Sequence, residues 1–110
     1  MSAATGATIG IAYLEDASYE VMAQTIVNSL CNVGGMVCDG AKSSCAAKIA
    51  SSVECALLSY DMAKDQLGFR YGEGIVKEDV EATIAAVGRM AACGMRGTDA
   101  EILNIMVDAG

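Results

Sequence analysis

Two cysteines seven residues apart, Cys38 and Cys45, are the side chains of this sequence best suited to chemistry. Asp39 and Gly40 favour a turn between them, because glycine tolerates turn conformations and aspartate caps turns. A turn would bring the two sulfurs closer than the roughly 10 Å that an unbroken helix would leave between them. The pair therefore suits a metal or cluster held by thiolates. The spacing C-x6-C is not standard for a zinc site or a ferredoxin cluster. The alternative is therefore that both cysteines are buried structural thiols, because free cysteine is among the most buried residue types.

The residues around the second cysteine predict a helix whose first turn carries Cys45. Ser43 or Ser44 is suited to the N-cap position, where a serine hydroxyl accepts a hydrogen bond from the first turn. The unpaired backbone N–H groups of a helix N-terminus favour a thiolate and any anionic group nearby. Lys42 adds a positive charge beside them. This position therefore favours an ionised sulfur at Cys45.

Several blocks of the sequence resemble one known family. The run 38–48, with Cys38-Asp39-Gly40-Ala41-Lys42 followed by Cys45, Ala46 and Lys48, resembles the signature of the serine dehydratase-like family, which includes L-cysteine desulfidases. The segments 74–84, 88–90 and 94–99 are similar to the C-terminal part of the same family, and the small-residue stretch 3–14 resembles the helix before its signature. The blocks cover most of the chain from about residue 28 to residue 106, in order.

The resemblance implies a lyase that removes water or hydrogen sulfide from a small amino acid, L-serine or L-cysteine. Members of the family hold an oxygen-sensitive [4Fe-4S] cluster with three cysteines and leave one iron open for the substrate. Cys38 and Cys45 match two of these ligands. The backbone amides of Gly40 and Ala41 would donate to cluster sulfurs or to the substrate carboxylate, and Lys42 would either offset charge there or, the favoured alternative, be solvated. The third ligand and the catalytic base belong to a portion that precedes residue 1. The resemblance therefore implies that residues 1–110 are the C-terminal, cluster-binding portion of a longer enzyme, or one subunit of a split enzyme, inactive alone.

The other cysteines and the two arginines of the family-like segments are less clearly linked to a function. Cys31, Cys55 and Cys93 are predicted to be structural, because the resemblance places no ligand at these positions. Arg89 and Arg96 lie in family-like segments and could bind a carboxylate, although capping of helix ends is favoured. A zinc site is disfavoured, since the chain has no histidine. The rival function is a non-catalytic interaction or regulatory module that uses its cysteines for packing.

The amino-acid composition disfavours some classes of binding partner. The net charge is −7 and no lysine or arginine precedes Lys42, which disfavours binding to nucleic acid or to an anionic membrane surface. The uncharged stretch 21–38 is too polar to span a membrane. Five cysteines without a secretory signal favour reduced thiols in the cytoplasm. Apolar residues make up 54% of this short chain, which indicates either an alanine-rich core or a partner, such as the preceding portion or a second copy.

Hydrophobic periodicity predicts an all-α fold, with five or six helices in one compact domain around an irregular cysteine-bearing turn. Helices are expected over 2–14, from Ser18 to about 33, 44–66, 77–93 and from a capping box at 98–101 to about 108. Gly6 and Gly10, together with alanines at positions 3, 4, 7 and 12, would let another backbone approach the first helix. The packing face predicted for the third helix consists of Ala47, Ile49, Ala50, Val53, Ala56, Leu57 and Tyr60.

Overall fold

The computed structural model describes residues 2–33, 43–94 and 96–108. Within these ranges the chain forms five α-helices and one π-helical turn, and no strand. In chain order they are α1 (Ser2–Leu14), α2 (Tyr19–Val33), α3 (Ser43–Lys64), α4 (Val80–Arg89), the π-helical turn (Met90–Gly94) and α5 (Arg96–Asp108). The all-α prediction is therefore confirmed.

Capping decides where two helices begin, and one predicted cap is confirmed. The Ser18 hydroxyl accepts from the backbone N–H of Val21 at 3.2 Å, as expected for the start of α2. Asp79 is extended and accepts from the backbone N–H of Ala82 at 2.7 Å. Because Asp79 takes the N-cap position, α4 begins at Val80, later than the predicted residue 77.

Two other predicted caps are wrong. The third helix begins at Ser43, so Ser43 and Ser44 both lie in its first turn rather than before it. The last helix begins at Arg96, so Thr98 lies inside α5 and does not open it with a capping box. In both cases the described helix already includes the residues predicted to cap it.

The first three helices pack together, and α4 is added to one side. A four-residue turn, 15–18, joins α1 to α2, and the hydroxyls of Thr5 and Ser29 lie 2.9 Å apart between them. The two helices therefore run antiparallel. Helix α3 packs on both, α4 packs on α2, and α5 packs against the π-helical turn and no other described helix. The result is a slab of about 50 × 28 × 16 Å.

The packing face predicted for α3 is wrong in most of its members. Ile49, Val53 and Leu57 are exposed, with 59% of Ile49 accessible. The residues that α3 buries are mostly small or polar: Ser52, Cys55, Ala56, Ser59, Tyr60 and Ala63. Hydroxyls on this face bond to nearby polar atoms, as when Ser59 Oγ donates to the carbonyl oxygen of Cys55 at 2.7 Å. Short side chains allow the helices to approach closely, so the bulkier apolar stripe is left on the outside.

The contact face of α1 agrees with the prediction at Ala4 and Ala12 and differs from it at the two glycines. A Cβ placed on Gly6 or Gly10 would meet no atom within 4 Å, so within the described residues these glycines face open space. Ala4, Thr8 and Ala12 are buried instead, at the four-residue spacing of one helix face. Close packing of α1 therefore depends on alanine and threonine rather than on glycine.

Candidate functional site

Of the residues predicted to form the site, the structure describes Cys45. Cys38, Gly40, Ala41 and Lys42 lie outside the described residues. Cys45 is the third residue of α3 and is half-buried. The first backbone N–H groups of a helix have no partner within the helix and carry its positive dipole end, which favours a thiolate there. The position of Cys45 in a helix N-terminal turn is therefore confirmed.

The other described cysteines differ from Cys45 in their surroundings. Cys31 is half-buried and packs against an apolar cluster of Val27, Val76 and Val80. Burial, and then the negative charge of Glu73, raises the pKa of the Cys31 thiol. A thiol that resists ionisation is a poor metal ligand, because the thiolate is the form that coordinates.

The last two described cysteines lie at opposite extremes of exposure. Cys55 is buried in α3, with its sulfur 3.9 Å from the Ser59 hydroxyl oxygen. Cys93 is exposed on the π-helical turn, so the buried structural role predicted for it is wrong. The burial of Cys55 agrees with the structural role predicted for it.

The described residues do not make a complete cluster site by themselves. Over 2–33, 43–94 and 96–108, no three side chains of histidine, cysteine, aspartate or glutamate come together as metal ligands. A cluster held by cysteines needs several thiolates around one centre. Cys45 is in a suitable place for one of them, and the other candidate of this chain, Cys38, lies outside the described ranges. A cluster bound through Cys45 would need further ligands from outside the described residues.

A second feature is an open groove along α4 and the π-helical turn. Its volume is about 920 Å³. The groove is lined by Gly74, Ile75, Lys77, Glu78, Ala82, Ala85, Ala86, Arg89, Met90, Cys93 and Gly94. Arg89 lies in the last turn of α4, where a positive charge interacts favourably with the negative end of the helix dipole, and its role as a cap stays a prediction. π-Helical turns within helices are frequent at functional sites.

Sequence reasoning missed a buried polar residue that ties a loop to the helices. Asn28 is fully buried in α2. Its Oδ1 accepts from Gln24 Nε2 at 2.9 Å and from the backbone N–H of Phe69 at 3.1 Å. Its Nδ2 donates to the carbonyl oxygens of Ser59 and Leu67, each at 3.3 Å. Asn28 therefore fixes α2 to α3 and to the loop after α3.

The sequence carries little signal that distinguishes this asparagine from an exposed one. Asn28 lies on the same helix as Asn32, which is exposed. The four-residue spacing from Gln24 is a weak hint, since side chains at i and i+4 of a helix meet. The carbonyls that Asn28 satisfies come from residues 31 and 39 positions further along the chain.

Comparison with known proteins places the chain in a family. The family model described as serine dehydratase alpha chain matches residues 1–104. Among similar proteins are the UPF0597 proteins of Desulfitobacterium hafniense, 49% identical over 106 residues, and Treponema denticola, 48% identical over 107 residues. The matches cover 96% and 97% of this chain, and 25% of each relative. The chain thus spans about a quarter of the length of the curated relatives it matches.

Two further findings concern solved structures and membrane crossing. No solved structure matches the chain. None of the described helices combines the length and the apolar character that a membrane crossing requires.

Proposed function

The chain belongs to the serine dehydratase alpha chain family, and we propose that it is the cluster-binding, C-terminal portion of an iron–sulfur-dependent lyase. The proposed reaction eliminates water from L-serine or hydrogen sulfide from L-cysteine. Cys38 and Cys45 of this chain would supply two thiolate ligands to a [4Fe-4S] cluster. The remaining ligand and the catalytic base would belong to the rest of the protein, which in the relatives is about three times as long as the matched region.

The proposed chemistry is a β-elimination followed by hydrolysis. A base removes the α-proton, the bond from the β-carbon to oxygen or sulfur breaks, and the leaving group departs as water or hydrogen sulfide after gaining a proton. The enamine product becomes an imine, and one water molecule hydrolyses it to a 2-oxo acid and ammonia. The cluster, when bound, would supply a Lewis-acidic iron that polarises the leaving hydroxyl or thiol.

The residues of this chain would bind and neutralise rather than carry out the proton transfer. Cys45 would bind as a thiolate, supported by the N–H groups of the first turn of α3. Cys38 would bind from the other side of the turn. The backbone amides of Gly40 and Ala41 would donate hydrogen bonds to cluster sulfurs or to the substrate carboxylate, and Lys42 would offset negative charge there.

The observation that best supports the proposal is the contrast between Cys45 and the other described cysteines. Cys45 lies in a helix N-terminal turn, the position that lowers the cost of an ionised sulfur. Cys31 has a raised thiol pKa and packs on an apolar cluster, while Cys55 is buried. The rival interaction module is favoured by a different feature, the exposed apolar side chains of α3 and α5.

The test uses five cysteine-to-serine variants of a complete protein. This chain is joined to the remaining three quarters of the Desulfitobacterium relative, prepared without oxygen, and assayed for iron, sulfide and ammonia release from each substrate. Cys38→Ser and Cys45→Ser should each lose the cluster and the activity, because a hydroxyl replaces a thiolate ligand poorly. Cys31→Ser, Cys55→Ser and Cys93→Ser are the matched controls and should keep both. Full cluster content in Cys38→Ser and Cys45→Ser would support the interaction module instead.

A further inference from the structure

The groove along α4 has a floor of small side chains and charged residues towards its ends. Ala82, Ala85 and Ala86 lie at helical spacing along the floor, and Met90 continues the apolar lining into the π-helical turn. Lys77 precedes α4, and Arg89 lies in its last turn. The groove is open to solvent along its length and has no other described helix over it, since α4 packs on α2 and on the π-helical turn.

Alanines on an exposed helix face leave space that only larger apolar side chains from outside can fill. Helices approach each other closely where one carries small residues, and the partner then inserts its larger side chains. Two copies of this groove cannot fill one another, because both would bring the same small side chains to a common hollow.

The accessible surface of the whole chain indicates that a substantial area needs cover. The chain exposes 7086 Å². A folded monomer of its mass, 11.3 kDa, is expected to expose about 5,700 Å². The excess is spread over the molecule, including the exposed apolar residues of α3 and α5, and it leaves room for a partner that covers the roughly 800 Å² of one side of a standard interface. The matched region is about a quarter of each relative, so the other three quarters of the same protein could supply the covering segment.

We propose that the groove along α4 is the docking site for an apolar helical segment of the remaining part of the same protein. The segment places large aliphatic side chains over Ala82, Ala85 and Ala86, and it places a carboxylate opposite Arg89. This inference rests on the proposed function only in treating the chain as part of a longer protein. It requires neither the cluster nor the elimination reaction.

Cys93 gives a direct probe of whether the groove is covered, because it lines the groove and is exposed. Trypsin cleavage after Arg89 and Arg96 releases a peptide, 90–96, in which Cys93 is the single cysteine. The rate of N-ethylmaleimide addition to this peptide is measured by mass spectrometry, for the 110-residue chain alone and for the chain joined to the remainder of the Desulfitobacterium relative. Docking should slow the reaction of Cys93 roughly tenfold or more in the joined protein, as expected for a group reached only by local opening.

Two exposed alanines provide a matched pair of variants. Ala85 lines the groove, whereas Ala92, on the π-helical turn, is not among the lining residues. Ala85→Arg should restore fast labelling in the joined protein, because a large charged side chain would have to be buried without a partner. Ala92→Arg should leave Cys93 protected, and because the new arginine is also a trypsin site, Cys93 is then read from the peptide 93–96. Circular dichroism checks that both variants keep their helices.

Three other outcomes would each contradict the docking proposal. Equal labelling rates for the chain alone and the joined protein would show that the groove stays open. Protection that survives Ala85→Arg would show that some other contact shields Cys93. Protection in the isolated chain that increases with concentration would show that a second copy is the occupant. Cys38→Ser and Cys45→Ser should keep the protection, so a failure of the cluster proposal would not be mistaken for a failure of docking.

Discussion

At the scale of single residues, the described part of the chain places hydrogen-bonding side chains where a small protein usually places aliphatic ones. Asn28, Thr25 and Thr83 are completely buried. No buried side-chain nitrogen or oxygen in the described residues lacks a hydrogen-bond partner. Buried polar groups contribute to a unique arrangement when all of them are satisfied, and they are costly when one partner is removed.

Asn28→Ala should therefore lower the free energy of unfolding by about 2–4 kcal/mol, because it leaves two carbonyls and one N–H without their partner. Asn32→Ala is the matched control, since Asn32 is exposed on the same helix, and its effect should stay within about 0.5 kcal/mol. Urea unfolding followed by circular dichroism measures both. Equal losses in the two variants would contradict the role assigned to Asn28.

The raised pKa of Cys31 leads to a prediction about pH. In the folded chain burial and Glu73 hold the thiol in its neutral form, so its pKa exceeds the ordinary value of 9.0. The stability that the neutral, buried Cys31 thiol contributes is fully present below the thiol pKa of the unfolded chain. It is lost as the pH rises through the higher thiol pKa of the folded chain, because between the two values only the unfolded chain releases the proton. Alkylation of Cys31 should accordingly be slower than that of exposed Cys93 at pH 8–9. Equal rates, read from separate peptides, would contradict this.

At the scale of elements, the helices are joined through small and hydroxyl-bearing faces. Helix α1 buries Ala4, Thr8 and Ala12, and α3 buries a face that includes Ser52 and Ala56. A face of this kind brings helix backbones close together and leaves the larger apolar residues on the outer surface. The loop after α3 is fastened in the same way, since Gln24 Nε2 donates to the carbonyl oxygen of Phe69 at 3.1 Å.

Glycine-to-alanine substitutions in the isolated chain test which helix and loop surfaces are packed. Gly6→Ala and Gly10→Ala should each stabilise it by about 0.5–1 kcal/mol, because no atom lies near the added methyl group and alanine is the better helix former. Gly68→Ala should destabilise it. The added Cβ would overlap the Gln24 side-chain amide and would displace that amide from Asn28. Thermal unfolding measures all three, and destabilisation by Gly6→Ala would mean that the glycine face of α1 is packed after all.

At the scale of the whole molecule, much of the apolar content lies on the surface. Leu103, Ile105, Met106 and Val107 of α5 are exposed, and 77% of Val107 is accessible. Helix α5 packs against the π-helical turn and no other helix of the described ranges. Exposed apolar patches of this kind mark surfaces that associate with a partner.

The isolated chain should consequently self-associate or bind the remaining portion of the protein. Replacing Leu103 and Ile105 together by serine should reduce the self-association seen by sedimentation velocity, because it removes two of the large exposed side chains of α5. Asn104→Ser is the control on the same helix and should leave the sedimentation unchanged. A monomer at high concentration, with no affinity for the remaining portion, would contradict the prediction.

Several properties of this protein were determined by the sequence alone. Periodicity near 3.6 residues and the absence of proline predicted the helices, and the boundaries of α1 and α2 agree closely with the prediction. Ser18 was identified as a cap because capping depends on residues within one turn. The motif around Cys38 and Cys45 identified the family, since it is a local pattern. The geometry of Cys38 lies outside the described residues, so its role as a ligand stays a prediction.

The tertiary structure alone decided which face of each helix is buried. Ile49, Val53 and Leu57 have the spacing of a core face, yet they lie outside, while Ser52 and Ser59 lie inside. Hydrophobic spacing shows that a helix has an apolar stripe, but burial depends on which neighbouring helix fits against it. Asn28 shows the same limit, because the carbonyls it satisfies come from distant parts of the chain. Such pairings exist only once the helices have packed, which is why no local pattern predicts them.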